Sequence, residues 1–270
     1  MRNDSVQKTL IVAASLCIVC SVLVSGAAVS LRPMQEFNER IDVKKNLLLA
    51  AGLVESASVP AKEIQKIYEK KIEAKVIDLS TGEVVQDMSA ESYDPRTAVN
   101  KPEMSVRIPG EKDRAGIKKR AVYSEVYLVK KEGKIDMLVL PVYGKGLWST
   151  MYGFLALDRD ARTVRGIGFY EHGETPGLGG EIENPRWQKQ WVGKKVFDEN
   201  FDPAFQVVKG SVGPDTPESE HKVDGLSGAT ITSNGVTGMI RYWMGHHGFG
   251  KYLKEFREGH DLEATQATSK

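Results

Sequence analysis

Three short stretches of this 270-residue chain carry residue types that could do chemistry. In the last of them, Asp224-Gly225-Leu226-Ser227-Gly228-Ala229-Thr230 runs through Ile231-Thr232-Ser233 into a segment where Val236, Met239, Ile240 and Trp243 recur at the helical period. A Gly/Ser/Thr loop feeding a helix start offers free backbone N–H groups and the positive end of the helix dipole. Both suit a phosphate. On residue types alone this is either a phosphate cradle or a tight structural turn. It is not a P-loop, because no Gly-Lys-Ser/Thr follows a glycine at the required spacing, and no G-x-G-x-x-G follows a strand, which disfavours a dinucleotide fold. The other two stretches are Tyr143-Gly144-Lys145-Gly146-Leu147-Trp148-Ser149-Thr150 and Glu174-Thr175-Pro176-Gly177-Leu178-Gly179-Gly180-Glu181. Of the 26 glycines, 20 lie between Gly144 and Gly259, so this half needs close backbone approach or unusual φ values.

Other chemistries find less support. The five histidines suggest no metal: His246 and His247 are adjacent and diverge by about 100° on a helix, while His172, His221 and His260 lack a spaced carboxylate or cysteine cluster. No G-x-S-x-G nucleophile turn is present, which disfavours a hydrolase. The two cysteines, Cys17 and Cys20, sit in an apolar run, where they read as ordinary small residues rather than a redox pair. A net charge of +1 gives no global field for nucleic acid.

The elements that must position these loops can be read along the chain. Thr9 to Leu31 holds no charge and is long enough as a helix to cross a bilayer core of about 30 Å. The competing reading is a cleaved signal peptide, with Ser25-Gly26-Ala27-Ala28 as the small-residue site. Both readings place the large domain on the exported side. We take the retained anchor: a cytoplasmic tail over 1–8, a transmembrane helix over 9–31, a helical connecting region over 32–74, a domain over 75–258 and a polar tail over 259–270. Leu47, Leu48, Ala51 and Val54 form one stripe, Gly52 interrupts it, and Pro60 opens a second stripe of Ile64, Ile67, Tyr68 and Ile72. Strands are expected at 75–79, at 121–130 and 134–143 as a hairpin, at 154–157 and 163–170 as another, and at 205–209. Residues 88–118 read as irregular. Ser233 is placed to cap the last helix, and Trp187 and Trp191 read as a helix face packed on the sheet. The fold class is α+β, one N-terminal transmembrane helix followed by a mostly antiparallel domain.

The heptapeptide at 224–230 resembles the D-G-x-[ST]-G-A-T signature of the FMN-binding domain family, and the other two glycine stretches are similar to that family as well. With the single anchor, the likeness extends to the C subunits of bacterial sodium-translocating NADH:quinone reductases, with the G subunits of the Rnf complexes as the near alternative. The resemblance covers the span and about residues 120–258; residues 80–118 carry no motif.

It implies FMN joined through its phosphate to the Thr230 hydroxyl, with Ser227, Gly228 and Ala229 around the phosphate and Lys209 as a candidate counter-charge. Asp224 matches the acidic position read by a flavin transferase, its alternative role being an Asx-turn. Glu174, Thr175 and Leu178 would line the isoalloxazine, as would Trp148, Ser149 and Thr150, with a core position as the alternative for Trp148. The implied partners are the other membrane subunits of the complex and the transferase, and the implied location is the bacterial inner membrane with the domain on the periplasmic side. The chain would have no substrate of its own: it would accept electrons from an iron centre and pass them to another flavinylated subunit, on a route to quinone coupled to sodium export. A module holding a phosphorylated ligand reversibly is the rival from another class.

Overall fold

The computed structural model describes residues 5–56 and 58–259. The first four residues of the expected tail and the C-terminal tail from His260 lie outside them. Helix α1 (Val6–Ala50) is continuous over 45 residues, passing through Pro33 well beyond the apolar run. It is the one described helix long and apolar enough to cross a membrane, and side chains along the run, such as Leu10, Ile18 and Leu23, are exposed. The chain divides into two compact units, one up to Val43 and one from Lys44 onward.

The second unit begins with the last turns of α1, whose Leu47 and Leu48 are fully buried. The helix stops where Gly52 adopts φ +64°. There the Gly52 N–H bonds the Leu49 carbonyl at 3.0 Å and the Leu53 N–H bonds the Leu48 carbonyl at 2.9 Å, a paired closure that only a residue tolerant of left-handed φ completes cheaply. Helix α2 (Ala61–Lys71) follows Pro60 as expected and passes directly into strand β1 (Ile72–Asp78). The stretch read as irregular holds a short helix α3 (Pro95–Ala98), strand β2 (Ser105–Arg107) and its antiparallel partner β3 (Lys119–Ala121).

The sheet proper then forms as a meander. Strands β4 (Tyr123–Lys131), β5 (Lys134–Lys145), β6 (Thr150–Asp158) and β7 (Val164–Glu171) pair in chain order, all antiparallel, and β1 adds to the free edge of β4. Both expected hairpins are present. In the first, Glu132 and Gly133 both take positive φ, which matches a tight two-residue turn to the twist of its strands. After helix α4 (Pro185–Lys189), strands β8 (Gln206–Val207) and β9 (Lys222–Val223) form a small parallel pair, much shorter than the strand expected at 205–209. Helices α5 (Thr230–Met244) and α6 (Gly250–Arg257) end the described chain.

The period-2 alternation of the strands gives two buried faces. Leu138, Leu140, Leu155 and Ile167 share one core with Val236, Met239 and Ile240 of α5 and with Leu253 and Phe256 of α6. The other face of β7 carries Gly166 and Gly168. A Cβ at Gly168 would lie 3.5 Å from that of Ala50, and one at Gly166 would run into the Ala50 carbonyl, so the end of α1 lies directly on the strand. Trp187 and Trp191 are buried as expected, Trp191 stacked on Phe205 at 4.1 Å, but α4 ends at Lys189 and only Trp187 is helical.

One expectation at the head of α5 fails. The helix starts three residues before Ser233, so Ser233 does not cap it; its hydroxyl accepts the N–H of Leu226 at 3.1 Å instead. A hydroxyl residue ahead of an apolar stripe is a cap signal, but here the loop glycines let the chain become helical sooner.

Candidate functional site

Thr230 is the first residue of α5 and is exposed. The residue before it, Ala229, has no side chain able to cap, and the first turn holds no acidic residue. Among the described residues, the first amide past Thr230 with a backbone partner is Ser233, bonded to the Ala229 carbonyl at 3.0 Å. A helix start thus faces outward with its donors and positive dipole end available, beside an exposed hydroxyl. Gly228 takes φ +69°, which a Cβ would strain, and a Cβ there would also meet Leu178 at 3.0 Å.

The three glycine stretches meet at one buried carboxylate. Glu174 is 5% exposed. Its Oε1 accepts the N–H groups of Trp148 at 2.9 Å and Ser149 at 3.3 Å; its Oε2 accepts the Leu147 N–H at 3.1 Å and the Thr232 hydroxyl at 2.5 Å. Glycines are required around it. A Cβ at Gly146 would stand 2.6 Å from Oε1, and one at Gly179 would stand 2.6 Å from the Thr232 hydroxyl and 2.9 Å from Oε2. Burial pushes the Glu174 carboxyl up, yet the bonds from Thr232, Trp148, Leu147 and Ser149 hold it below its ordinary value. Within the protein both Glu174 oxygens are engaged, which gives the residue a bracing role at the meeting of the three loops.

The remaining sequence-derived residues fall around this brace. Ser149 accepts the Gly173 N–H on its hydroxyl at 2.6 Å, tying the first loop to the second. Thr150 opens β6 opposite Lys145. The Thr175 carbonyl closes the second loop by accepting the N–H groups of Leu178 and Gly180, at 3.1 and 2.9 Å, while its side chain is exposed. Trp148 is 66% exposed, which excludes the core alternative, and Leu178 is 44% exposed. Ser227 is exposed beside Gly228. Asp224 makes no Asx-turn into Gly225. Its Oδ1 accepts the Val212 N–H at 2.7 Å and its Oδ2 accepts the Gln190 amide at 3.1 Å, bracing the third loop from behind. Lys209 is exposed, next to the Gly210 carbonyl that accepts the Gly225 N–H at 2.8 Å.

Sequence reasoning missed Leu147, Ile231 and Thr232. Leu147 and Ile231 are 42% and 58% exposed, and with Trp148 and Leu178 they put four large apolar side chains on the first two loops and the first turn of α5. The signal was present: large apolar residues inside glycine-rich loops, where no core explains them. The arrangement offers backbone donors and hydroxyls for a phosphate and apolar side chains for a flat aromatic system. It fits FMN.

Comparison with known proteins agrees with this geometry. Residues 146–245 match the family described as FMN-binding domain. A protein of Pseudomonas aeruginosa, named as the C subunit of the Na(+)-translocating NADH-quinone reductase, is 47% identical over 258 residues, covering 96% of this chain and 98% of its own length. One of the same name from Yersinia pestis is 48% identical over 259 residues, 96% of each chain. Among solved structures, NqrC of Shewanella oneidensis superposes with a TM-score of 0.74 at 36% identity, covering 84% of this chain and all of that one. The C subunit of the Parabacteroides distasonis reductase gives a TM-score of 0.63 at 29% identity, covering 83% of this chain and 96% of that one.

Proposed function

Because the chain belongs to the family of Na(+)-translocating NADH-quinone reductase C subunits, we propose that it relays electrons through FMN joined covalently to Thr230. The observation that carries this reading is the head of α5: an exposed threonine as first helical residue, on an uncapped helix, beside three braced glycine loops. FMN, when bound, supplies the reversible uptake and release of electrons. Everything else falls to the chain's own residues.

Thr230 Oγ forms the ester. A flavin transferase would supply the flavin phosphate from FAD, with AMP as the leaving group and the Thr230 hydroxyl proton released, without change of oxidation state. The resulting diester keeps one negative charge, which the first-turn N–H groups and helix dipole favour by about 0.3–1 kcal/mol. Lys209 adds a counter-charge. Ser227, Gly228 and Ala229 let the backbone approach the phosphate. Leu147, Trp148, Leu178 and Ile231 would exclude water from the flavin, and Thr175, Ser149 and Thr150 would supply polar contacts to it. Asp224 both braces its loop and presents the acidic position that the transferase reads.

In this reading α1 anchors the chain in the bacterial inner membrane and the FMN-binding domain lies on the periplasmic side, among the other subunits of the reductase. Its electrons would come from an iron centre and go to another flavinylated subunit, on a route to quinone coupled to sodium export. Covalent attachment keeps the flavin from being lost outside the cell.

The test is the intact mass of the chain co-expressed with a flavin transferase. We expect an adduct of FMN minus water that survives denaturation, maps to the peptide holding Thr230 and vanishes in Thr230→Val. An unmodified mass with flavin that washes off would instead support reversible binding, and an adduct retained in Thr230→Val would overturn the assignment.

A further inference from the structure

A second concave site lies at the other end of α5, about 22 Å along the helix from Thr230. The chain leaves Met244 and turns back into α6 through Gly245, Gly248 and Gly250. The turn is closed by the Gly248 and Gly250 N–H groups, both on the Gly245 carbonyl at 3.0 and 3.1 Å, and by the Phe249 N–H on the Trp243 carbonyl at 2.6 Å. A Cβ at Gly248 would collide with the Trp243 backbone, so the turn needs glycine there. It holds His246 and His247 side by side, their rings 5.8 Å apart.

An open concavity of about 280 Å³ lies beside these histidines, with Lys112, Arg114 and Arg241 among its lining and Glu111 as the one lining carboxylate. Arg241 is fixed by donating to the carbonyls of Phe205 at 2.8 Å and Ala204 at 3.1 Å, with its other N–H groups left over. Arg120 and Lys251 add to the field from β3 and α6, while Tyr242 lines the hollow and the Asp113 carboxylate acts on Tyr242 against that field. Among the described residues, no ion pair engages Lys112, Arg114, His246 or His247. The crowding is felt: burial lowers the His247 pKa, and Lys112, His246, Arg120 and Lys251 lower it further. Burial and then Arg114 lower that of Arg241.

Gathering like charges in a hollow is unfavourable unless something of opposite sign occupies it. A concave cradle with a guanidinium fixed at its wall suits a compact group with several charges. We infer that this pocket binds a multiply charged oxyanion of the phosphate class, either free or carried on a lipid headgroup.

The experiment titrates inorganic phosphate into the full chain in detergent and follows the ring nitrogens of His246 and His247 by NMR across pH. Sodium chloride at matched ionic strength is the control. Phosphate should raise the apparent pKa of His247, since the bound anion favours its charged form. Replacing Lys112→Gln and Arg114→Gln together should weaken phosphate by about tenfold or more through lost charge-assisted bonds. Flavin attachment, read by mass, should be unchanged. Displacement of phosphate by short-chain phosphatidic acid, whose headgroup is a phosphomonoester, below its micellar concentration would identify a headgroup site, and failure to displace it a site for free phosphate. Equal effects of phosphate and chloride, or undiminished binding in the double variant, would overturn the proposal.

Discussion

Glu174 is the residue on which the three loops depend, since it receives four hydrogen bonds from the first loop and from α5. Glu174→Gln exchanges one acceptor oxygen for a donor, so whichever way the amide turns, buried donors lose their partner. A loss of about 1–3 kcal/mol at pH 7 is expected in denaturant unfolding. The sign with pH follows from the depressed folded-state pKa. The stabilisation is fully present above the ordinary value of 4.5 and is lost as pH falls through the lower folded value. Wild type and variant should therefore converge in acid. A deficit as large at pH 3 as at pH 7 would mean that the charge is not what braces the loops. Thr230 and its glycine loop were legible in the sequence because the chemistry is local to seven residues. The brace was not, because its partners lie 26 and 58 residues from Glu174, and nothing in the local pattern separates a carboxylate aimed at a ligand from one turned inward.

Helix α5 is the element that sets the position of Thr230, and two of its glycines seat it. A Cβ on Gly235 would run into the Lys145 carbonyl and one on Gly238 into that of Arg114. Replacing glycine by alanine inside a helix ordinarily stabilises by about 1 kcal/mol. Here the added methyl must push α5 away from the first glycine loop, at a cost of about 1–3 kcal/mol. Gly235→Ala should lower the thermal midpoint and the yield of covalent flavin together; a higher midpoint with full yield would refute close seating. The helix itself was readable from its apolar stripe, but its first residue was not, because Ser233 offered a better cap signal than Ala229. In the same way β8 proved only two residues long, since an apolar run after a loop signals burial without fixing what it pairs with.

At the scale of the whole molecule, the second unit begins at Lys44, inside α1. The boundary matters because Leu47 and Leu48 are 0% exposed. A chain beginning at Lys44 should keep the denaturant midpoint of the full chain. One beginning at Glu55 strips both leucines and uncovers the glycine face of β7, and it should lose roughly 4 kcal/mol or more, or fail to fold. Equal stability of the two would show that the end of α1 is dispensable. The meander was legible as a run of hairpins, while the tie between residues 79–122 and the sheet was not. That tie runs through single side chains such as Arg96, which bonds Glu171 at 2.7 Å and lies 3.9 Å over the Tyr152 ring, contacts that leave no periodic trace.

The brace at Glu174 also imposes an order in time. Its carboxylate is synthesised 58 residues before the Thr232 hydroxyl that completes its set of partners. At about 5–20 residues per second, a ribosome takes roughly 3–12 s to cover that interval. During it the first two loops exist without the third, and the threonine that would carry the cofactor has not been made. With the proposed attachment at Thr230, loading would follow nearly complete synthesis of the domain, and a chain truncated before α5 would carry no flavin.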